Sequence, residues 1–118
     1  MVDDEPLIRR LVADTLSVHD HHVDMASDGA EALARLDAGT RYDAIISDVD
    51  MPRVDGPQLY REIERRDPAL LRRFVFVTGN VLADLQAFID ETNAALLRKP
   101  FQIQEMLEVV QDLLADRR

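Results

Sequence analysis

The sequence predicts an α/β domain in which parallel strands alternate with helices. Short apolar segments that indicate strands alternate with longer segments whose apolar residues recur at helical spacing, and this pair repeats five times. Segments 43–48 and 74–78 each contain a continuous apolar run, which is typical of strands covered on both faces. Right-handed crossovers between such strands build one parallel sheet with helices on both sides.

The first strand is predicted to be short, because only Met1 and Val2 precede a group of acidic residues. We therefore expect further residues before Met1 in the native protein. A helix follows from Pro6, since proline suits the first helical turn, and its apolar face repeats at helical spacing. That face consists of Ile8, Leu11, Val12, Thr15 and Leu16.

The second strand–helix unit begins with an edge strand. Residues 22–26 alternate between polar and apolar, as a short strand at the edge of the sheet would. The helix after it is predicted to begin at a cap in which Asp28 pairs with Glu31 and to stop at Gly39. The preceding run of His19, Asp20, His21 and His22 is interpreted as a solvated turn and not as a metal site.

The second half of the chain continues the same alternation. The third helix is predicted to begin at a cap formed by Asp55 and Gln58 and must end before Pro68. Residues 74–78 and 95–98 are predicted strands, each followed by an amphipathic helix. The apolar faces of these two helices consist of Val81, Leu82, Leu85, Phe88 and Ile89, and of Ile103, Met106, Leu107, Val110, Leu113 and Leu114.

Length, charge and composition exclude several classes of function. The 118 residues are enough for one domain, which we place at residues 1–118, and too few for two. A net charge of −9 argues against direct nucleic-acid binding, which requires a basic surface. No apolar stretch approaches the roughly 20 residues of a transmembrane helix, so we expect no membrane insertion. The absence of cysteine excludes disulfides and thiolate sites and is typical of a cytoplasmic protein.

Polar residues that can carry chemistry follow the apolar segments. They are the pair Asp3 and Asp4, then Asp48, Thr78 and Lys99. Because the carboxyl ends of parallel strands lie at one edge of a sheet, we expect these side chains to converge. Carboxylates can hold a divalent cation, which lowers the repulsion between an attacking carboxylate and an anionic phosphoryl donor. The cluster therefore predicts phosphoryl transfer to an aspartate.

The motifs around these residues resemble those of the response-regulator receiver domain, in the same order and over the whole chain. The matching segments are Val2-Asp3-Asp4-Glu5-Pro6, Asp48-Val49-Asp50-Met51-Pro52 with Asp55-Gly56, Val77-Thr78-Gly79, and Lys99-Pro100-Phe101. The resemblance implies a doubly wound, flavodoxin-like (βα)5 fold whose five parallel strands have the order 2-1-3-4-5.

The resemblance also implies a role for each acidic residue. Asp48 accepts a phosphoryl group from a histidine kinase or a histidine phosphotransfer domain, beside a bound Mg²⁺ or Mn²⁺. Asp3 and Asp4 form the acid pair of the metal site with Asp48, and Asp4 is the expected direct ligand. Asp50 offers its backbone carbonyl to the metal. Phosphorylation then changes the surface that binds an output domain or protein, and a second copy of the chain is a further candidate partner.

The remaining motif residues are implied to contact the phosphoryl group. Thr78 is the switching hydroxyl and Lys99 pairs with the phosphoryl oxygens. The Lys99–Pro100 peptide bond is predicted to be cis. Receiver domains often have an aromatic residue three positions before the lysine, where this chain has Leu96. We therefore expect less side-chain rotation and more loop movement on phosphorylation.

Other interpretations stay open at this point. The Asp48-x-Asp50 spacing resembles the nucleophile motif of haloacid-dehalogenase-type phosphohydrolases, although in those enzymes the acid pair comes last. An inactive receiver-like module is disfavoured by the complete set of acids, Thr78 and Lys99. We expect a switch that assists its own phosphorylation and dephosphorylation, and not an enzyme that turns over a metabolite. It is either a stand-alone regulator or the receiver of a hybrid sensor histidine kinase.

Overall fold

The computed structural model of the chain describes residues 1–18, 22–51 and 53–115, and these residues form α-helices, a 3₁₀ helix and parallel strands. The elements are α1 (Pro6–Val18), α2 (Gly29–Asp37), β1 (Ile45–Asp48), α3 (Gly56–Arg66), a 3₁₀ helix (Pro68–Arg73), β2 (Phe74–Thr78), α4 (Ala83–Thr92), β3 (Ala95–Arg98) and α5 (Ile103–Ala115). None of these helices is long and apolar enough to cross a membrane.

The sheet is parallel, and its strands β1, β2 and β3 are neighbours in that order. Two isolated parallel bridges join Val2 to Ser47 of β1 and to Ala26, so the order across the sheet is Ala26, Val2, β1, β2, β3. This confirms the parallel α/β fold and follows the predicted 2-1-3-4-5 order, but the described residues form three strands and two bridges. Only Met1 and Val2 precede the acids, so the first predicted strand is reduced to Val2, which forms both bridges. Of residues 22–26, only Ala26 forms a bridge.

Two apolar clusters cover the two faces of the sheet. Phe74 and Phe76 of β2 lie in the cluster shared with α2, α3 and α4, and Val75 and Val77 lie in the cluster shared with α1 and α5. Alternate residues of a strand point to opposite faces, and every residue of β2 is buried, so β2 is covered on both sides as predicted. The helical residues that cover it are Ala32, Leu59, Ile63 and Leu85 on one face, and Val12, Leu16, Met106, Leu107 and Val110 on the other.

Side-chain caps fix the starts of α2 and α3. At α3 the predicted capping box is complete, because Asp55 accepts from the amide of Gln58 at 2.9 Å and the Gln58 side chain accepts from the amide of Asp55 at 3.0 Å. At α2, Asp28 accepts from the amide of Glu31 at 2.9 Å as predicted. The Glu31 carboxylate, however, accepts from the amide of Ser27 at 3.1 Å. The return bond therefore reaches one residue further back than in a standard capping box.

The predicted helix ends agree with the structure within two residues. α2 ends at Asp37, and Gly39 follows with a positive φ of 94°, which glycine adopts without a steric penalty. α3 ends at Arg66, two residues before Pro68.

Two residues predicted on apolar helix faces lie outside the core. Leu11 is 47% exposed and Leu82 is 63% exposed. Leu11 is displaced from the sheet because Val12 and Leu16 occupy the face of α1 that packs on it. Leu82 stands before α4, which begins at Ala83, and so contributes nothing to the packed face of that helix.

Some of the predictions cannot be compared with the structure. His19, Asp20, His21, Pro52 and the side chain of Ile103 lie outside the described residues. In the same run as the first three, His22 has a side chain that is 92% exposed and lies 3.3 Å from Asp24. This exposure agrees with a solvated turn at that residue.

Candidate functional site

Three carboxylates meet at the carboxyl end of β1. Val2 bridges to Ser47, and its carbonyl accepts from the amide of Asp48 at 2.8 Å, so the chain leaves the sheet at Asp3 beside Asp48. Asp3 is 0% exposed and Asp48 is 7% exposed, whereas Asp4 is exposed. One oxygen of each of the three carboxylates lies within 4.8 Å of the others. The predicted acidic cluster is therefore assembled in the structure.

Lys99 places a positive charge against this cluster. Its ammonium nitrogen lies 3.2 Å from Asp3 Oδ2, 3.4 Å from Glu5 Oε1 and 3.7 Å from Asp48 Oδ2. Lys99 follows β3 directly, and its amide donates to the carbonyl of Thr78 at the end of β2 at 2.8 Å. The Lys99–Pro100 peptide bond is cis, as predicted.

The acidic cluster carries more negative charge than Lys99 can neutralise. Burial raises the pKa of the Asp48 carboxyl to about 6, the charge of Asp3 adds to the rise, and Lys99 opposes it. Burial by itself lowers the pKa of Lys99, but attraction to Asp3 and Asp48 outweighs that effect, so the pKa of Lys99 is raised. Three carboxylates at short range form the all-oxygen donor set that a hard divalent cation prefers. The residues present thus fit a magnesium site.

Asp3 is held in place by partners from three directions. Its Oδ1 accepts from the amide of Glu5 at 2.9 Å, its Oδ2 accepts from Lys99, and its carbonyl accepts from Arg9 Nη1 at 2.7 Å. Our sequence reasoning missed Glu5 and Arg9 as contacts of the site. A signal was present for Arg9, because a cation near the amino terminus of a helix opposes the helix dipole and therefore suggests another partner.

The chain after Asp48 approaches the strand so closely that a side chain cannot be accommodated at Gly56. The amide of Gly56 donates to the carbonyl of Val49 at 2.8 Å. A Cβ at Gly56 would lie 2.5 Å from the carbonyl oxygen of Asp48 and 3.0 Å from the ring of Phe76. Gly56 therefore allows α3 to begin directly against the end of β1. Asp48 Oδ1 accepts from the amide of Val49 at 2.8 Å, which further fixes the carboxylate.

Thr78 reaches the same edge of the sheet, but its hydroxyl bonds to the following loop. The residue is 2% exposed. Its Oγ1 accepts from the amide of Asn80 at 3.2 Å and donates to the carbonyl of Asn80, also at 3.2 Å. The hydroxyl thus couples the end of β2 to the loop that leads into α4.

Two further residues from the sequence analysis lie near this edge of the sheet. Asp50 is exposed, in the segment between β1 and α3, and the metal-binding role of its carbonyl stays a prediction. Leu96 pairs with Phe76 in the sheet and is half-buried against the cluster formed with α2, α3 and α4. Leu96 therefore belongs to the packed face of the sheet.

Comparison with known proteins agrees with this arrangement. A family model described as the response regulator receiver domain matches residues 1–111. Response regulator MprA of Mycobacterium sp. (strain KMS) is 34% identical over 114 residues, which cover 97% of this chain and 49% of that protein. Sensor kinase CckA of Brucella abortus is 31% identical over 116 residues, covering 97% of this chain and 12% of that protein. The chain spans about half the length of the MprA relatives and a smaller share, 12%, of the length of CckA.

A solved structure shares the fold over nearly the whole chain. Chemotaxis protein CheY4 of Vibrio cholerae aligns with a TM-score of 0.84 and 31% sequence identity. The alignment covers 96% of this chain and 94% of the CheY4 chain. The likeness therefore includes both faces of the sheet and the edge that carries the acidic cluster.

Proposed function

We propose that this chain, which belongs to the response regulator receiver domain family, is a Mg²⁺-dependent phosphoacceptor switch of a two-component phosphorelay. In this proposal residues 1–118 form one receiver domain and Asp48 takes up the phosphoryl group. The observation that carries the proposal is the packing of a buried Asp48 carboxylate within 4.8 Å of Asp3 and Asp4, with Lys99 3.7 Å away.

The charge of the site supports a need for a metal. Asp3, Asp4 and Asp48 carry three negative charges and Lys99 one positive charge, which leaves two negative charges before any phosphoryl donor arrives. When bound, Mg²⁺ would supply the two positive charges that balance this excess and lower the repulsion between Asp48 and the donor. We assign its ligands to the three carboxylates and to the backbone carbonyl of Asp50, and Mn²⁺ offers the same preference for oxygen.

The transfer step that we propose uses the side chains in the following roles. A carboxylate oxygen of Asp48 attacks the phosphorus of a phosphohistidine, a phosphorus–oxygen bond forms, and the phosphorus–nitrogen bond breaks with its electron pair left on the imidazole. Lys99 moves its ammonium from the carboxylates toward the phosphoryl oxygens, since these now carry the charge. The hydroxyl of Thr78 leaves Asn80 and donates to a phosphoryl oxygen.

The proposed switch follows from the contacts that Thr78 gives up. Both hydrogen bonds of its hydroxyl join Asn80, and α4 begins three residues later at Ala83. Drawing Thr78 toward the phosphoryl group therefore releases the loop before α4 and shifts the population of its conformations. Because Leu96 is packed in the sheet face, we assign the output change to this loop and to α4.

Relatives of two kinds support a phosphodonor on one side and an output partner on the other. MprA is a response regulator by name and CckA a sensor kinase. We propose a histidine kinase or a histidine phosphotransfer domain as donor, and an output domain or protein as the recipient of the signal. The family assignment favours this function over the haloacid-dehalogenase-type phosphohydrolase that the sequence left open.

Intact-mass spectrometry after incubation with acetyl phosphate tests the proposal. In the presence of Mg²⁺, the wild-type chain should gain the mass of one phosphoryl group, and a chelator should abolish the gain. Asp48→Asn should gain nothing, while Asp50→Asn, which keeps its backbone carbonyl and changes the charge equally, should still be labelled. Equal labelling of wild type and Asp48→Asn would exclude Asp48 as the acceptor.

A further inference from the structure

The segment between β1 and α3 is anchored at both of its ends; its described residues are 49–51 and 53–55, and we call it the β1–α3 segment. At the α3 end, the amide of Gly56 donates to the carbonyl of Val49, and a Cβ at Gly56 would have no room beside the carbonyl of Asp48. On its outer side, the segment is bound to the start of α2. The carbonyl of Val54 accepts from the amide of Gly29 at 3.1 Å, and a Cβ at Gly29 would lie 2.5 Å from that carbonyl oxygen.

An ion pair reinforces this outer contact. Arg53 places Nη2 2.6 Å and Nε 2.8 Å from Oδ2 of Asp28, the capping residue of α2. The Asp28 side chain is only 7% exposed, and its Oδ1 accepts from the amide of Glu31. The backbone hydrogen bond from Glu31 lowers the pKa of Asp28, burial opposes this, and the pairing with Arg53 lowers it further. The pair is therefore charge-assisted and partly shielded from water.

Arg53 adopts a backbone conformation that its side chain makes costly. Its φ is +67°, in the left-handed region that glycine enters freely and other residues enter at a cost of about 1–2 kcal/mol. A glycine would fit this backbone with less strain, so the contacts around Arg53 must offset the cost of this conformation. The described contact of that side chain is the ion pair with Asp28.

We propose that Arg53 is a positioning residue of the metal site. Its ion pair with Asp28 holds the β1–α3 segment so that the carbonyl of Asp50 is presented to the cation held by the three carboxylates. The inference rests on the proposed function, because it assumes that the cation binds there. It adds Arg53 and Asp28 to the site, although neither residue lies in the acidic cluster.

The direction in which Mg²⁺ affinity changes distinguishes a positioning role of Arg53 from a simple effect of its charge. Removing the positive charge in Arg53→Gly should tighten Mg²⁺ binding if only charge matters, and removing the negative charge in Asp28→Asn should weaken it. Positioning instead predicts weaker binding in both variants. Glycine relieves the backbone strain, and asparagine keeps the helix cap, so neither change removes the local structure by itself. We expect the dissociation constant to rise by about tenfold in each, the low end of the effect of outer-shell partners.

The matched control is an ion pair between α2 and α3 that does not involve the β1–α3 segment. Arg66 of α3 places Nε 2.7 Å from Asp37 of α2, outside the β1–α3 segment. Arg66→Gln and Asp37→Asn change the charge by the same amounts and should leave the dissociation constant within about twofold. The double variant Arg53→Gly/Asp28→Asn should have a dissociation constant similar to that of either single variant, because all three variants lose the same ion pair. Arg53→Lys should restore part of the affinity.

Because the chain has no tryptophan whose fluorescence could report binding, Mg²⁺ affinity is measured by calorimetric titration. Amide exchange of the metal-free proteins is measured alongside it. Tighter or unchanged binding in Arg53→Gly would overturn the proposal, and so would the same loss in the Arg66 control. If Arg53→Gly does not fold, Arg53→Lys decides in its place, because it keeps the charge: binding weaker than in wild type supports positioning, and unchanged binding overturns it. If wild type binds no Mg²⁺, the proposed function fails. In that case, amide exchange at residues 53–56 tests by itself whether the ion pair anchors the β1–α3 segment. Faster exchange is expected in both variants, and unchanged exchange would contradict the anchoring.

Discussion

Replacement of Asp48 by asparagine should stabilise the metal-free protein at neutral pH. The folded protein raises the pKa of Asp48 from 3.8 to about 6, so the folded state holds this proton more tightly than the unfolded state does. Wild type therefore loses stability as the pH rises from 3.8 to about 6, and the whole loss is present above that interval. Asparagine does not titrate in this range, so the variant does not lose stability in this way. Its side chain has nearly the same shape as that of aspartate.

The size of the effect follows from the two pKa values. Their difference corresponds to about 3 kcal/mol at about 1.36 kcal/mol for each pH unit. Asp48 lies at the edge of the sheet, where solvent screens part of the repulsion, so we expect about 1–3 kcal/mol in favour of Asp48→Asn at pH 7.5. At pH 4 the two proteins should have nearly equal free energies of unfolding. Added Mg²⁺ should close the difference at pH 7.5, because it binds folded wild type.

Urea denaturation followed by circular dichroism measures this effect. Wild type and Asp48→Asn are compared from pH 4 to pH 8 in the presence of a chelator. Asp112→Asn, an exposed acid on α5, serves as the control and should stay within about 0.5 kcal/mol of wild type at every pH. A less stable Asp48→Asn at pH 7.5, or a difference that does not change with pH, would show that the ionised Asp48 carboxylate does not destabilise the folded protein.

Three further predictions concern the metal site, the close contact between Gly56 and the end of β1, and the output surface. Asp4→Ala should weaken Mg²⁺ binding by about tenfold or more and slow phosphorylation with it, and unchanged calorimetric affinity would argue against Asp4 as a ligand. Gly56→Ala should cost about 1–3 kcal/mol of unfolding free energy, because its Cβ meets a carbonyl at 2.5 Å, whereas Gly79→Ala should cost less, since its nearest contact is at 3.8 Å. Beryllium fluoride with Mg²⁺ should change amide exchange mainly at residues 79–92 and on the adjoining part of α5. A change confined to residues 30–36 would place the output surface elsewhere.

Local patterns allowed much of the fold to be predicted from the sequence. The capping box at Asp55 and the buried strand at residues 74–78 each depend on a few neighbouring residues. The convergence of Asp48 and Lys99 follows from parallel strand order, because the carboxyl ends of such strands share one edge. These predictions are confirmed by the structure.

A contact between distant segments, the start of a helix and a side-chain rotamer account for what the sequence could not predict. The pairing of Arg53 with Asp28 joins residues 25 positions apart and depends on a positive φ that no motif announces. The exposure of Leu82 depends on where α4 begins, and apolar periodicity does not determine a helix start to within two residues. The bonding of the Thr78 hydroxyl to Asn80 depends on a rotamer, which sequence does not fix.

A crystal structure with Mg²⁺ and beryllium fluoride, a mimic of the phosphoryl group, would show whether Asp48 is the acceptor and whether the cation binds beside it. We expect beryllium on a carboxylate oxygen of Asp48 and the cation among Asp3, Asp4 and the Asp50 carbonyl. We also expect fluoride contacts to Lys99 and to a Thr78 hydroxyl that has left Asn80. Beryllium on another carboxylate, or a cation bound away from this cluster, would contradict the proposed function.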